Sequence, residues 1–243
     1  MAHSSRKVLS PPVVDLRPKA RRARLHDLAV VGRIDRVTAP KQARSERSLQ
    51  RVLAALEALL KTRPFDEISI PEIAARSECS VATIYGRFKD KHSILAALHE
   101  SLRERMFVDL DLLLDPARWR HRPLDELIDA FCTQLADCYR LERHLLTAVL
   151  VLGDREVYER AAQNMAHASR CFVAAMHATR AGRRRGAEAE SRASIGIRAA
   201  FGLLQQRLLF HPSARGRTEG PSDAVFRCEL GTLMRMCLRG AAR

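Results

Sequence analysis

Residues 69–88 read Ser69-Ile70-Pro71-Glu72-Ile73-Ala74-Ala75-Arg76-Ser77-Glu78-Cys79-Ser80-Val81-Ala82-Thr83-Ile84-Tyr85-Gly86-Arg87-Phe88. Two helix starts sit inside this stretch. Ser69 and Glu72 have the spacing of a capping box, in which the serine hydroxyl accepts from the Glu72 amide and the Glu72 carboxylate accepts from the Ser69 amide. Pro71 fits the first turn, where its missing N–H has no helical partner. This helix is short, carries Ile73, Ala74 and Arg76, and ends near Ser77. Ser80 then offers a second N-cap ahead of residues 81–88. Two short helices across a tight turn predict a helix-turn-helix over about 69–88.

The neighbouring sequence supplies the flanking helices. Upstream, Leu49, Val52, Leu53, Leu56, Leu59 and Leu60 recur at helical spacing, and Pro64 stops that helix at about Arg63. Downstream, Asp90 caps a longer helix with Ile94, Leu95, Leu98, Leu102, Met106, Leu110 and Leu113 along one side. Beyond Pro116, Leu124, Leu127, Ile128, Phe131, Leu135 and Cys138 share a face, and 145–152 is apolar nearly all round, as a buried helix is. Further helices are expected over about 154–180, 188–211 and 222–239. There is no alternating strand pattern, internal repeat or Gly-rich phosphate loop. The expected fold is all-α in two parts: an N-terminal three-helix DNA-binding domain over 44–104, and a helical domain over 105–243.

Composition agrees and narrows the function. Hydrophobic residues make up 47% of the 243, enough for a sizeable core, while aromatics at 5% suit helices better than a sandwich of sheets. The 42 Lys and Arg exceed the 28 Asp and Glu, which calls for a polyanionic partner. The excess is uneven. Residues 1–44 hold eleven cations (6, 7, 17, 19, 21, 22, 24, 33, 36, 41, 44) and three acids, whereas 45–100 hold eight of each sign. The Pro-containing segment 1–43 is expected to be a mostly disordered arm, either a solubilising leader or a strap along DNA phosphates. Arg183-Arg184-Arg185 form a second basic knot. No apolar run reaches membrane-spanning or signal-peptide length, and the six Cys form no C-x-x-C pair, so a cytoplasmic chain with reduced thiols is expected.

Residues 65–91 resemble the N-terminal domain of the TetR/AcrR transcriptional regulators. The Ile73-Ala74 pair, the capping Ser80, the Tyr85-x-x-Phe88 pair and Lys91 at the start of the next helix carry the resemblance, which covers about 44–104. Three features depart from that pattern: Ser77-Glu78 replaces a small Ala-Gly turn, Pro64 replaces a Gly, and the basic arm is extra. If Glu78 must be left-handed, it costs about 1 kcal/mol against Gly.

The resemblance implies a sequence-specific DNA-binding repressor, with Thr83, Tyr85 and Lys91 touching bases or phosphates. A recognition helix beginning at Ser80 brings Val81 to Arg87 to the major groove. Thr83 and Arg87, at i and i+4, share a face, with Arg87 suited to guanine. Ala82 and Gly86 are small and permit close approach, and Ser69 and Ser80 cap the two helices beside the DNA. Tyr85 has a second reading as a core aromatic; Phe88 is assigned to the core. Lys91 opposes the dipole at a helix N-terminus, so a phosphate partner is expected for it.

For the C-terminal part the resemblance implies an apolar small-molecule effector and a homodimer through the last two helices, on a palindromic double-stranded operator. Gly196, Ala199, Gly202, Leu203, Leu204, Leu230, Leu233, Met234 and Cys237 are candidates for the dimer face. Candidate pocket residues are Trp119, Phe131, Gln134, Tyr139, His144, Asn164, Met165, His167 and Phe172, each with ordinary core or surface as its alternative. No metal or cofactor is expected, because His144 and His167 are read as lacking a ligand-spaced carboxylate or Cys, and Cys132 and Cys138 face apart on their helix. No membrane partner is expected. An enzyme is not expected either, since no nucleophile–base pair, paired carboxylates or phosphate loop is present. The remaining rival is an architectural DNA-binding protein of the same fold without an effector.

Overall fold

The computed structural model describes residues 43–153, 155–181, 186–210 and 222–239. The expected arm, apart from Ala43, and the basic knot at 183–185 lie outside the described residues. Ten α-helices form the described chain: α1 (Ala43–Leu60), α2 (Ile70–Ser77), α3 (Val81–Tyr85), α4 (Lys91–Leu113), α5 (Pro116–Trp119), α6 (Leu124–Leu141), α7 (Arg143–Leu152), α8 (Arg155–Ala178), α9 (Ala187–Phe210) and α10 (Asp223–Arg239). A 3-10 turn, Phe65–Glu67, links α1 to α2. Among the described residues no helix is long and apolar enough to cross a membrane.

The N-terminal helices close around one small core. Leu49, Leu56, Ile73, Ile84, Phe88 and Ile94 are all essentially shut off from solvent, so the four helices α1–α4 share one apolar centre. α4 then runs on without a break through residue 104 and packs against α7 and α8. That single helix carries the reading head into the body. In the body, α9 and α10 pack on each other, α10 lies against α6, and α5 lies against α8. Phe131, Phe172, Ala175, Met176, Ile197 and Phe201 form the body's core.

Polar ties fix α4 to α8. Glu100 is buried and accepts from Arg103 Nε at 2.9 Å and from Arg160 Nη1 at 2.8 Å. Burial pulls the Glu100 carboxyl upward, but the two guanidiniums outweigh it and leave it below its usual value. A buried carboxylate held by two cations is costly to break from either side. On the other side, Arg235 of α10 donates to Asp125 at 3.0 Å and also pairs with Asp129, both on α6.

Two expectations need correction. α7 is not buried all round: Leu145, Leu146 and Val149 face inward, but Val151 and Leu152 are exposed. It packs against α1, α4, α6 and α9 through that inner face, and its last turn is left outside. The third helix does not reach Phe88, because Gly86 already caps it after Tyr85.

Candidate nucleic-acid interface

The capping box at 69–72 is formed. The Glu72 amide donates to Ser69 Oγ at 3.4 Å, and the Ser69 amide donates to Glu72 Oε2 at 2.8 Å. Arg63 reaches the other carboxylate oxygen at 2.6 Å. The Ser69 hydroxyl and amide, with Arg63, hold the Glu72 carboxyl down to about 2. α2 is thereby pinned to the end of α1, and Ser69 stands exposed at the head's edge.

The turn into α3 passes through a left-handed residue. Glu78 has φ 53° and ψ 35°, its amide bonds back to Ala74 and Ala75, and the Cys79 amide donates to Ala74 at 3.1 Å. The condition attached to Glu78 by the sequence is met: the position is one that glycine occupies without strain. Its side chain lies out in solvent beside Arg51, 3.5 Å away. Ser80 then accepts from the Thr83 amide at 3.0 Å and shares a 2.7 Å hydroxyl contact with Thr83.

α3 has two faces. Ile84 inside it, and Phe88 after it, anchor it in the core, while Val81, Ala82, Thr83, Tyr85 and Gly86 are exposed. Tyr85 is 56% exposed, so the core-aromatic reading does not hold for it. Together these residues offer a short row of a methyl, a hydroxyl and a phenol with no carboxylate among them. That is a surface which can lie against base edges and phosphate oxygens.

Two predicted contacts sit elsewhere. Because α3 stops at Tyr85, Arg87 does not continue the face of Thr83. Its guanidinium turns back to the Ser45 hydroxyl at the start of α1, and burial lowers its pKa. Lys91 is not a bare cation at a helix start. Its Nζ donates to the carbonyls of Phe65 at 2.9 Å, Asp66 at 3.3 Å and Ile68 at 2.8 Å, and it lies 4.5 Å from the centre of the Phe65 ring. Backbone carbonyls of the segment 65–68 supply the negative partner expected of phosphate.

The nine pocket candidates are scattered. Trp119 is buried and donates from Nε1 to the Leu113 carbonyl at 2.6 Å. Phe131 and Phe172 are buried with ring centres 5.0 Å apart. Met165 packs against the core's edge, Gln134 is half-buried and His144 is exposed. The buried Oδ1 of Asn164 has no partner among the described residues. Tyr139 lines a small cavity of about 150 Å³ with Ala136, Leu204, Leu208, Phe226 and several Arg and Asp side chains. His167 requires a correction: Cys171, one helical turn on, and Asp111 from α4 both lie against it. The spacing i, i+4 on α8 was the signal for the Cys; nothing in the sequence brings Asp111 there.

Comparison with known proteins fits this geometry. Residues 52–98 match the family model for bacterial regulatory proteins of the tetR family. The chain is similar to the crystal structure of a putative TetR-family transcriptional regulator from Mesorhizobium loti MAFF303099, at 16% identity and TM-score 0.55, covering 82% of this chain and 98% of that one. It is also similar to a TetR transcriptional regulator from Rhodococcus sp. RHA1, at 15% identity and TM-score 0.50, covering 82% of this chain and all of that one. No curated protein matches the sequence. At these identities the solved structures speak for the fold, and the match over 52–98 speaks for the reading head. With that match joined to a helical second domain, the chain carries a helix-turn-helix reading head of the tetR type over 52–98 and shares the all-helical fold of the solved TetR-family structures.

Proposed function

We propose that the chain works as a homodimeric repressor that reads a palindromic operator with α3 and leaves it when a small molecule binds the helical domain. The observation that carries the DNA reading is the two-sided α3: Ile84 and Phe88 hold it to a closed core while Val81, Ala82, Thr83, Tyr85 and Gly86 face out. Thr83 and Tyr85 are its polar contacts, and Ser80 fixes where the helix begins.

The dimer reading is supported by α9 and α10. Gly196 lets the two helices meet, since a Cβ there would come within 2.9 Å of Met234 Sδ. Leu204, Leu230 and Met234 are spent within the chain. The outward faces are largely apolar: Ile195, Leu203 and Gly202 on α9, and Val225, Cys228, Leu233 and Met236 along a shallow groove on α10, with Glu229 and Thr232 as its polar members. Such a strip matches the apolar centre of a subunit interface. The effector reading is supported by the cavity at Tyr139. It lies between α6, α9 and α10, next to the dimer face, and must widen to take a ligand that needs about 300 Å³ or more.

The test is the stoichiometry of the full chain on a duplex obtained by selection from random sequence. Two chains per duplex, with half-site centres about 34–36 Å apart, are expected. A monomer on the selected duplex at micromolar concentration overturns the dimeric reading.

A further inference from the structure

Neither the DNA-reading face nor the dimer strip uses Asp111, His167 and Cys171. Asp111 stands on the last turns of α4, while His167 and Cys171 stand one turn apart on α8. His167 Nε2 is 2.8 Å from Asp111 Oδ1, Cys171 Sγ is 3.4 Å from the same oxygen, and Sγ is 3.6 Å from Nε2. A tetrahedral zinc ion, with bonds of about 2.0–2.1 Å to nitrogen and oxygen and about 2.3 Å to sulfur, sets its ligand atoms about 3.3–3.6 Å apart. Two of the three edges already have that length. The third opens by about half an ångström when Asp111 swings, which is a small move for a carboxylate mostly in solvent.

The donor set points to one class of ion. A thiol and an imidazole are poor partners for magnesium or calcium, which take oxygen, and good ones for zinc and its neighbours in the transition series. The histidine ring is already oriented: Phe107 of α4 stacks on it with centroids 4.2 Å apart, and the Arg103 guanidinium lies 4.8 Å from the centre of the Phe107 ring. Half-exposed side chains leave a path for the ion and a fourth coordination position open to water.

We propose that Asp111, His167 and Cys171 form a binding site for a divalent transition-metal ion of the zinc class, bridging α4 and α8. On binding, the Cys171 thiol proton, which now points at Asp111, leaves to solvent and the metal takes its place. The bridge joins the helix that begins in the reading head to the body, so metal and DNA reading act on one continuous element. The proposal is independent of the effector reading and of the cavity at Tyr139.

The test uses the full chain, stripped with chelator under reducing conditions and titrated with cobalt(II). One cobalt per chain is expected, with a thiolate-to-cobalt charge-transfer band and tetrahedral visible bands that zinc bleaches on displacement. Cys171→Ser should remove the charge-transfer band, and His167→Gln or Asp111→Asn should weaken cobalt binding by at least about tenfold, the loss seen even for an outer-shell partner. Cys79→Ser, a free thiol in the turn between α2 and α3, should leave the charge-transfer band unchanged. Helical circular dichroism checks the fold of each variant; should Cys171→Ser not fold, the loss with His167→Gln decides the matter. No charge-transfer band in the parent chain, or an undiminished one in Cys171→Ser, overturns the proposal. The three groups are then only hydrogen-bonded neighbours.

Discussion

Replacing Glu78 by glycine should stabilise the protein. Glu78 sits at φ 53° and ψ 35° where α2 turns into α3. A side chain in the left-handed region costs about 1–2 kcal/mol. Glycine removes that cost but gives the unfolded chain more freedom, worth about 0.4–1 kcal/mol against folding. The contact with Arg51 is 3.5 Å long between side chains 50% and 85% exposed, and such a pair contributes about 0–0.5 kcal/mol. Taken at the middle of these ranges, Glu78→Gly gains about 0.5 kcal/mol, or roughly 1–2 °C in Tm for a chain of this size. Glu78→Ala is the control. It loses the same ion pair and keeps the left-handed Cβ, so its stability should stay level or fall slightly. Urea unfolding of the three proteins, followed by helical circular dichroism, reads the difference as a shift in midpoint at constant slope. Equal stabilisation by Ala and Gly would place the effect in the charge and not in the backbone. A loss of stability with Gly would refute the strain argument outright.

Lys91→Ala should lower stability by about 2–3 kcal/mol, because three carbonyls lose a charged donor whose bonds are worth about 1.5–3 kcal/mol each before overlap; unchanged stability with weaker DNA binding would restore the phosphate role. His99 is buried near Arg160, and burial first, then that charge, bring its pKa down to about 4. The folded chain therefore refuses a proton that the unfolded chain accepts below about 6.5, so this contribution is complete above pH 6.5 and is lost as pH falls towards 4, up to about 3 kcal/mol. His99→Leu should flatten that part of the stability profile, and an unchanged slope argues against it. Arg87→Ala should leave base preference unaltered, since the side chain serves α1; a changed preference at one base in selected sites would return it to the reading face. Deleting residues 1–40 should flatten the plot of log K against log salt, because eleven of the cations lie in 1–44 while 45–100 are neutral, and should leave the core site in place; an unaltered salt slope makes the segment a passive leader.

The parts of the structure that depend on near neighbours were legible in the sequence. Caps at Ser69, Ser80 and Asp90, the proline at 71, and the leucine spacing of α1 and α4 each depend on residues within a turn or two, and the helices stand where those signals put them. The same locality misled at α3, where helical spacing was extended through a glycine that ends the helix, and Arg87 was carried outward with it. What failed was non-local. That Lys91 meets carbonyls of the turn at 65–68, that Arg87 meets Ser45, and that Asp111 meets His167 follows from how separate helices pack. Trp119, Phe131 and Phe172 show the same limit: aromatic residues at helical spacing do not reveal whether they wall a cavity or fill a core, and here they fill one.

The most direct test of the account is a nuclease footprint of the full chain on long duplex DNA that contains a site taken from random-sequence selection, run beside Thr83→Ala and Tyr85→Ala. One short protected palindrome is predicted for the parent chain, with protection lost or moved to much higher protein concentration in both variants, whose side chains lie on the exposed face of α3. An even ladder of protection over any sequence, unaffected by either substitution, would contradict sequence reading by α3 and leave a protein that coats DNA through charge alone.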